Sequence, residues 1–216
     1  MSIKENLQQI VSTLPQGVTL VAVTKTHAVS RLEELYAAGH RIFGENKVQE
    51  LIDKQATLPK DILWHLIGHL QSNKVKFIAP FISLIHSVDS KSLLQEINKQ
   101  ALKAGRVISC LLQIHIAEEE TKFGFDFQEA ERVLRSQELV SMTGVNVIGL
   151  MGMATNTEDA KQVAEEFASL QVFYNKMALE FPALTILSMG MSSDYPVAIE
   201  NGSNMVRIGS SIFGSR

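Results

Sequence analysis

Apolar residues fall along this chain in two alternating rhythms. Short, mainly apolar runs, most of them continuous, recur at 19–24, 41–43, 63–67, 84–88, 107–114, 147–151, 185–188 and 205–208. Continuous rather than alternating runs of this length predict strands buried on both faces. The stretches between them carry apolar residues three and four apart, the spacing of a helix face. Ser30-Arg31-Leu32-Glu33 reads as a capping box, with Leu32, Leu35 and Tyr36 as the stripe and Gly39 as the stop. Residues 90–102 place Leu93, Leu94, Ile97 and Ala101 on one side. Residues 126–134 open with Asp and Glu three apart and then bury Phe127, Ala130, Val133 and Leu134. Residues 156–177 carry Val163, Phe167, Leu170, Phe173 and Met177 at helical spacing. Asp194-Tyr195-Pro196 starts a short helix with proline in its first turn, ended by Gly202. Gln71-Ser72-Asn73-Lys74 opens another.

Eight strands each followed by a helix predict an α/β fold, a (β/α)8 TIM barrel, with a doubly wound open sheet as the alternative. Residues 1–14, with Ile3, Leu7, Ile10, Val11 and Leu14, predict an extra N-terminal helix before the first strand. No linker, repeat or low-complexity segment interrupts the pattern, so residues 1–216 read as a single domain.

Composition narrows the partners. A net charge of −3, spread over mixed signs, argues against nucleic acid or an anionic membrane. The longest like-charge run, Glu118-Glu119-Glu120, is too short for an acidic tail and reads as a solvated loop. The lone Cys110 sits in an apolar run, as a buried inert thiol would, which fits a reducing compartment. The first residues lack the apolar core of a signal peptide, and no run reaches the length of a membrane span. A cytoplasmic protein is the expectation.

Candidate chemistry begins at Lys25, which ends the first apolar run. A lysine held at the end of a buried strand is poorly solvated, and desolvation disfavours its ammonium form, so it is a candidate Schiff-base former as well as an ordinary strand-end charge. Ligands of such barrels bind at the C-terminal strand ends, with phosphate often after strands seven and eight. There the chain places Ser188-Met189-Gly190-Met191-Ser192-Ser193-Asp194 and Gly209-Ser210-Ser211. Glycines admit an anion close to backbone N–H groups, and the serine hydroxyls add donors. Arg207, inside the last apolar run, needs a partner. Either it pairs with a carboxylate such as Glu45 or Glu200, or it points into the barrel mouth toward a ligand. His65 and His69 are four apart, but Gly68 between them and a strand-end setting argue against a helical zinc pair. His27 and His86 are candidates to line the mouth, with ordinary hydrogen-bonded histidines the stronger expectation.

Read in order, the chain carries Ala22-Val23-Thr24-Lys25, Phe43-Gly44-Glu45-Asn46-Lys47-Val48-Gln49-Glu50, Trp64 to Lys74 and His86-Ser87-Val88-Asp89. It continues with Lys122-Phe123-Gly124, Gly149-Leu150-Met151-Gly152-Met153, Leu187 to Asp194 and Val206 to Gly214. Together these closely resemble the YggS/PROSC family of pyridoxal phosphate (PLP) homeostasis proteins, from the first strand almost to the C-terminus. The resemblance implies a barrel similar to the N-terminal domain of alanine racemase (PLP fold type III), with PLP held as a Schiff base on Lys25. It further implies Arg207 at the pyridine nitrogen, Ser192, Gly209 and Ser210 at the phosphate, and Asn46 close to the cofactor, with no metal. Lys47 stands where an aromatic is frequent and Ser210 where threonine is frequent; Ser210 keeps the hydroxyl. Lys122 belongs to a family motif, and whether it or Tyr195 approaches the cofactor is open, Tyr195 reading as a packing or rim residue. The implied partners are PLP and PLP-requiring apoenzymes, and the implied role is to hold and deliver PLP, with effects on vitamin B6, amino-acid and keto-acid pools.

Catalysis is the contrasting expectation. Arginine can only donate to a pyridine nitrogen, which leaves that nitrogen unprotonated and weakens its use as an electron sink. Fold type III racemases add a second base, a tyrosine delivered with a second domain, and neither is evident among the three tyrosines here. A binding protein is therefore expected rather than an enzyme, and a monomer because no second domain forms a shared site. A PLP-dependent amino-acid racemase of low activity is the alternative, and a Schiff-base aldolase acting on a sugar phosphate is the second.

Overall fold

The computed structural model describes residues 2–119 and 122–214. Eight parallel strands close into a barrel in sequence order, each hydrogen-bonded to the next and β8 back to β1. The strands are β1 (Thr19–Val23), β2 (Ile42–Glu45), β3 (Leu63–Leu66), β4 (Leu84–Val88), β5 (Ile108–Ile114), β6 (Val145–Gly152), β7 (Ile186–Ser188) and β8 (Met205–Ile208). Around them run α1 (Ile3–Thr13), α2 (Val29–Ala37), α3 (Val48–Thr57), α4 (Val75–Ile78), α5 (Lys91–Lys103), α6 (Phe127–Leu134), α7 (Gln137–Ser141), α8 (Ala160–Glu180), α9 (Tyr195–Glu200) and α10 (Ser210–Phe213). This is a TIM barrel preceded by the expected N-terminal helix, whose Ser2 and Glu5 complete a capping box.

The continuous apolar runs are explained by two cores on opposite faces of the sheet. Leu20, Ala22, Ile85, Cys110, Leu112, Leu150, Val206 and Ile208 face the helices. Val21, Leu84, Leu111, Met151 and Met205 meet inside the barrel. Because strand side chains alternate faces, Arg207 shares the inner face with Met205, and Gln113 shares it with Leu111. The inner face therefore changes from apolar to polar toward the C-terminal strand ends, where ligands bind in this architecture.

Side-chain caps start five of the described α-helices, α1, α5, α6, α7 and α8. Ser90 accepts from the Leu93 amide, and Asp126 with Glu129 forms the expected box. Ser30 does not cap. Helix α2 begins at Val29, and Ala28 holds the extended cap geometry, so Ser30 is already inside the first turn, past the position from which its hydroxyl would reach an open amide. Gly39 does end that segment, at φ 95°. The helix expected over 156–177 starts at Ala160, where Asp159 accepts from two amides, and runs on to Glu180. The second strand continues through Gly44 and Glu45, which pair with His65 and Leu66 of β3.

Gly149 marks the tightest strand contact. The β5–β6 register shifts beside it, and a Cβ at 149 would lie 2.0 Å from the Ile186 carbonyl oxygen of β7. Backbone cannot step aside as a side chain can, so Gly149→Ala is expected to destabilise the barrel by about 3 kcal/mol. Urea unfolding measures this, and an unchanged midpoint would show that β6 and β7 separate freely.

Candidate functional site

The C-terminal strand ends surround a cavity of about 860 Å3, and Lys25, Asn46, Ser192, Arg207, Gly209 and Ser210 all line it. Lys25 lies in the turn two residues beyond β1 and is half-buried, not enclosed in the strand. Asn46 follows β2, and its Oδ1 is buried without a hydrogen-bond partner. The two serine loops are tied together: Ser192 Oγ accepts from the Gly209 amide at 3.1 Å. Ser193 and Ser211 also face the cavity. Gly190 is required in this loop, because its φ is 91° and a Cβ would meet the Tyr195 Cα at 2.8 Å.

Arg207 has no carboxylate partner among the described residues. Of the two readings, the pairing with Glu45 or Glu200 does not form, since Glu45 is taken by Lys54 on the other side of the sheet, while Arg207 does line the cavity. Instead Arg207 Nη1 donates to the Ser188 carbonyl at 2.9 Å and to Ser188 Oγ at 2.6 Å, and Nη2 donates to the Gly152 carbonyl at 3.0 Å. The inner face of β8 directs the side chain to the ends of β6 and β7, where strand carbonyls run out of ladder partners. Those dipoles solvate the cation incompletely, and burial brings its pKa down to about 10, against the opposing pull of Asp194. An amine, a bank of hydroxyls and a buried cation held only by neutral groups thus share one cavity.

Behind Arg207 runs a buried chain of neutral groups. Ser188 Oγ lies 3.1 Å from His86 Nδ1, and His86 Nε2 lies 3.0 Å from His65 Nδ1. Burial pushes His65 down to about 3; it pushes His86 well below the ordinary histidine value, with His65 and Arg207 adding to the effect. His86 therefore lies under the floor of the site and does not line its mouth. His27 does line it, stacked on Phe213 at 4.2 Å. His69 binds Asp89 at 2.9 Å and stacks on Phe123, so the two histidines four apart serve different ends. No cluster of three metal-ligating side chains occurs among the described residues.

Lys122 reaches the cavity wall, where its Nζ donates to the Ala154 carbonyl at 2.6 Å and pairs with Glu119 at 3.0 Å. Glu120 of the acidic run lies outside the described residues. The Tyr195 hydroxyl turns away toward Thr13 of α1, 3.4 Å off, as a packing residue does. Cys110 is buried among apolar residues, and burial pushes its thiol up. Gln113, Phe123, Met153 and Met191 also line the cavity and were not read from the sequence. Gln113 left a trace there, as the one polar side chain late in the apolar run 107–114.

The family described as alanine racemase, N-terminal domain, matches residues 1–216, which puts the chain in that class of barrels. A pyridoxal phosphate homeostasis protein of Aquifex aeolicus is 38% identical over 91% of this chain and 86% of its own length. With further relatives of the same name at 36% and 37%, the chain belongs to the pyridoxal phosphate homeostasis protein family. Among solved structures, PipY of Synechococcus elongatus with PLP bound superposes with a TM-score of 0.89 at 38% identity. That match covers 99% of this chain and all of PipY. Alanine racemase of Clostridium difficile shares the fold alone: TM-score 0.80, 18% identity, and 56% of the racemase covered by the whole of this chain.

Proposed function

We propose that this protein binds pyridoxal 5'-phosphate in the barrel mouth and serves intracellular PLP homeostasis as a holder rather than as an efficient enzyme. One observation carries the reading: Lys25, the carboxylate-free Arg207 and the two linked serine loops face a single cavity. PLP supplies an aldehyde, a ring nitrogen and a phosphate, and these groups match that donor set one for one. Lys25 would hold the aldehyde carbon covalently. Arg207 would present N–H to the ring nitrogen, and Ser192, Gly209 and Ser210 would hold the phosphate. Asn46, whose Oδ1 lacks a partner, would face the ring. Arg207 donates a hydrogen bond but keeps its proton, so the ring nitrogen would stay unprotonated.

The whole chain acts as one PLP-binding unit, a cytoplasmic monomer that delivers PLP to apoenzymes. No helix among the described residues is long and apolar enough to cross a membrane. Slow racemisation is the second reading, supported by the barrel shared with alanine racemase. Against it, Tyr195 is turned toward α1 and supplies no base to the cavity. An aldolase would leave the buried Arg207 without a role.

The test is titration of the purified protein with PLP, followed by its absorption spectrum and by incubation with single-enantiomer amino acids in heavy water. A stoichiometric near-visible band with slow α-proton exchange is expected. A protein that PLP cannot colour refutes the binding reading, and rapid exchange with every turnover favours the racemase.

A further inference from the structure

The turn that carries Lys25 is held from behind by a second, buried lysine. Lys54 comes from α3, and its side chain is 6% exposed. Its Nζ donates to the Thr24 carbonyl at 2.7 Å, to Glu45 Oε1 at 2.7 Å and to Glu50 Oε1 at 2.6 Å. Those three contacts use every proton an ammonium has. Glu50 Oε1 also accepts from the Thr26 amide at 2.5 Å, and Thr24 Oγ1 donates to Glu45 Oε1 at 2.5 Å. The peptide groups on both sides of Lys25 are therefore fastened to one ammonium: the Thr24 carbonyl directly, the Thr26 N–H through Glu50.

The fastening coincides with strain. Thr26 has φ 65°, the one non-glycine residue with positive φ among those described. A β-branched residue enters the left-handed region only where its surroundings impose it. Here the imposing contact is the Glu50 carboxylate on its amide. A cluster that served only to bury charge would need no bond to either peptide of Lys25, and it would be an expensive choice, since an apolar trio of like volume packs as well.

We infer that Lys54, Glu45 and Glu50 form a positioning clamp that fixes the Lys25 backbone, so that its amine is presented to one point of the cavity. The inference rests on the reading of Lys25 as the covalent holder of PLP. Its gain is preorganisation: a lysine whose Cα cannot swing reaches its target with less entropy to lose. Glu50, at the edge of the clamp and 23% exposed, is the part that is replaceable without opening the core.

The experiment begins with cofactor-free protein, so that its outcome is independent of PLP binding. In Glu50→Ala, the Thr26 amide should exchange with solvent roughly tenfold faster, with core strand amides unchanged. Reductive methylation of Lys25 in the cofactor-free protein should change in rate with it. Glu50→Gln keeps an acceptor oxygen for both Thr26 and Lys54 and should restore wild-type exchange. On adding PLP, Glu50→Ala should lower the fraction of bound PLP that borohydride fixes to Lys25, with total bound PLP little altered. Lys54→Met should exceed these effects if it folds; the Glu50 pair decides the matter if it does not. Unchanged Thr26 exchange in Glu50→Ala overturns the clamp, as does a uniform rise across all strands, which marks a structural role only. If wild-type protein takes up no PLP, the proposed function fails while the exchange result still stands on its own.

Discussion

Lys25→Ala is expected to abolish covalent capture of PLP while the barrel stays folded. The Lys25 side chain makes no hydrogen bond or ion pair among the described residues, and it stands half-exposed at the cavity wall. Truncating such a side chain changes stability by no more than about 0.5 kcal/mol. The turn keeps its shape because its peptide groups are held by Lys54 and Glu50 rather than by Lys25 itself. On the proposed reading, loss of the covalent bond would leave the serine loops and Arg207 to retain PLP. A retention at least about tenfold weaker, worth about 1.4 kcal/mol, should follow. The near-visible band should vanish outright, and borohydride should no longer fix PLP to the peptide containing residue 25. Dialysis, absorbance and thermal melting measure the three parts. A variant that keeps the band places the holder elsewhere, and Lys122, the other amine on the cavity wall, is where peptide mapping would look first.

The barrel was legible because its chemistry is repetitive. Strands buried on both faces are mainly apolar, and that requirement printed eight runs into the chain. Boundaries were less legible where one hydroxyl had competing positions: Ser30 fits a cap motif, but the turn at Lys25 delivers the chain into α2 early enough for Ala28 to take the cap. The six site residues line one cavity: Lys25, Arg207 and the glycine–serine loops stand out among the apolar runs, whereas Asn46 was named only through the family resemblance. Two things left no mark. Arg207 is held by the carbonyls of Ser188 and Gly152, and backbone acceptors carry no residue code, so neither a carboxylate partner nor a ligand, the two readings open in the sequence, names them. Lys54 carries no motif that singles it out along the chain; only the closure of β1 against β2 brings Glu45 and Thr24 over it.

Acid should unfold this protein through the histidines beneath the site. His65 is held neutral down to about pH 3 by burial, and His86 is shifted in the same direction by burial, His65 and Arg207. An unfolded histidine titrates near 6.5, so below that value the unfolded chain binds protons that the folded chain refuses. The stabilisation is complete above about pH 6.5 and is lost progressively as pH falls toward 3. His65 alone contributes a loss on the order of 2–3 kcal/mol by about pH 4.5. His86 adds to it, and so does His40, whose burial also lowers its value. Glu45 opposes them: burial raises its carboxyl, so its proton is taken up in the folded state first. At most one proton is returned that way, against those refused by the three histidines. Urea unfolding at about pH 7 and about pH 5 should show stability falling with acid by at least one net proton. Ring nitrogen shifts should show His65 and His86 neutral in the folded protein at both. Equal stability at the two values, or a charged ring in the folded state at the lower one, contradicts the assignment. The consequence reaches the site, since a proton on His86 would set a second cation across Ser188 from Arg207. The folded protein refuses that proton, so acid should release PLP as the barrel opens and not ahead of it.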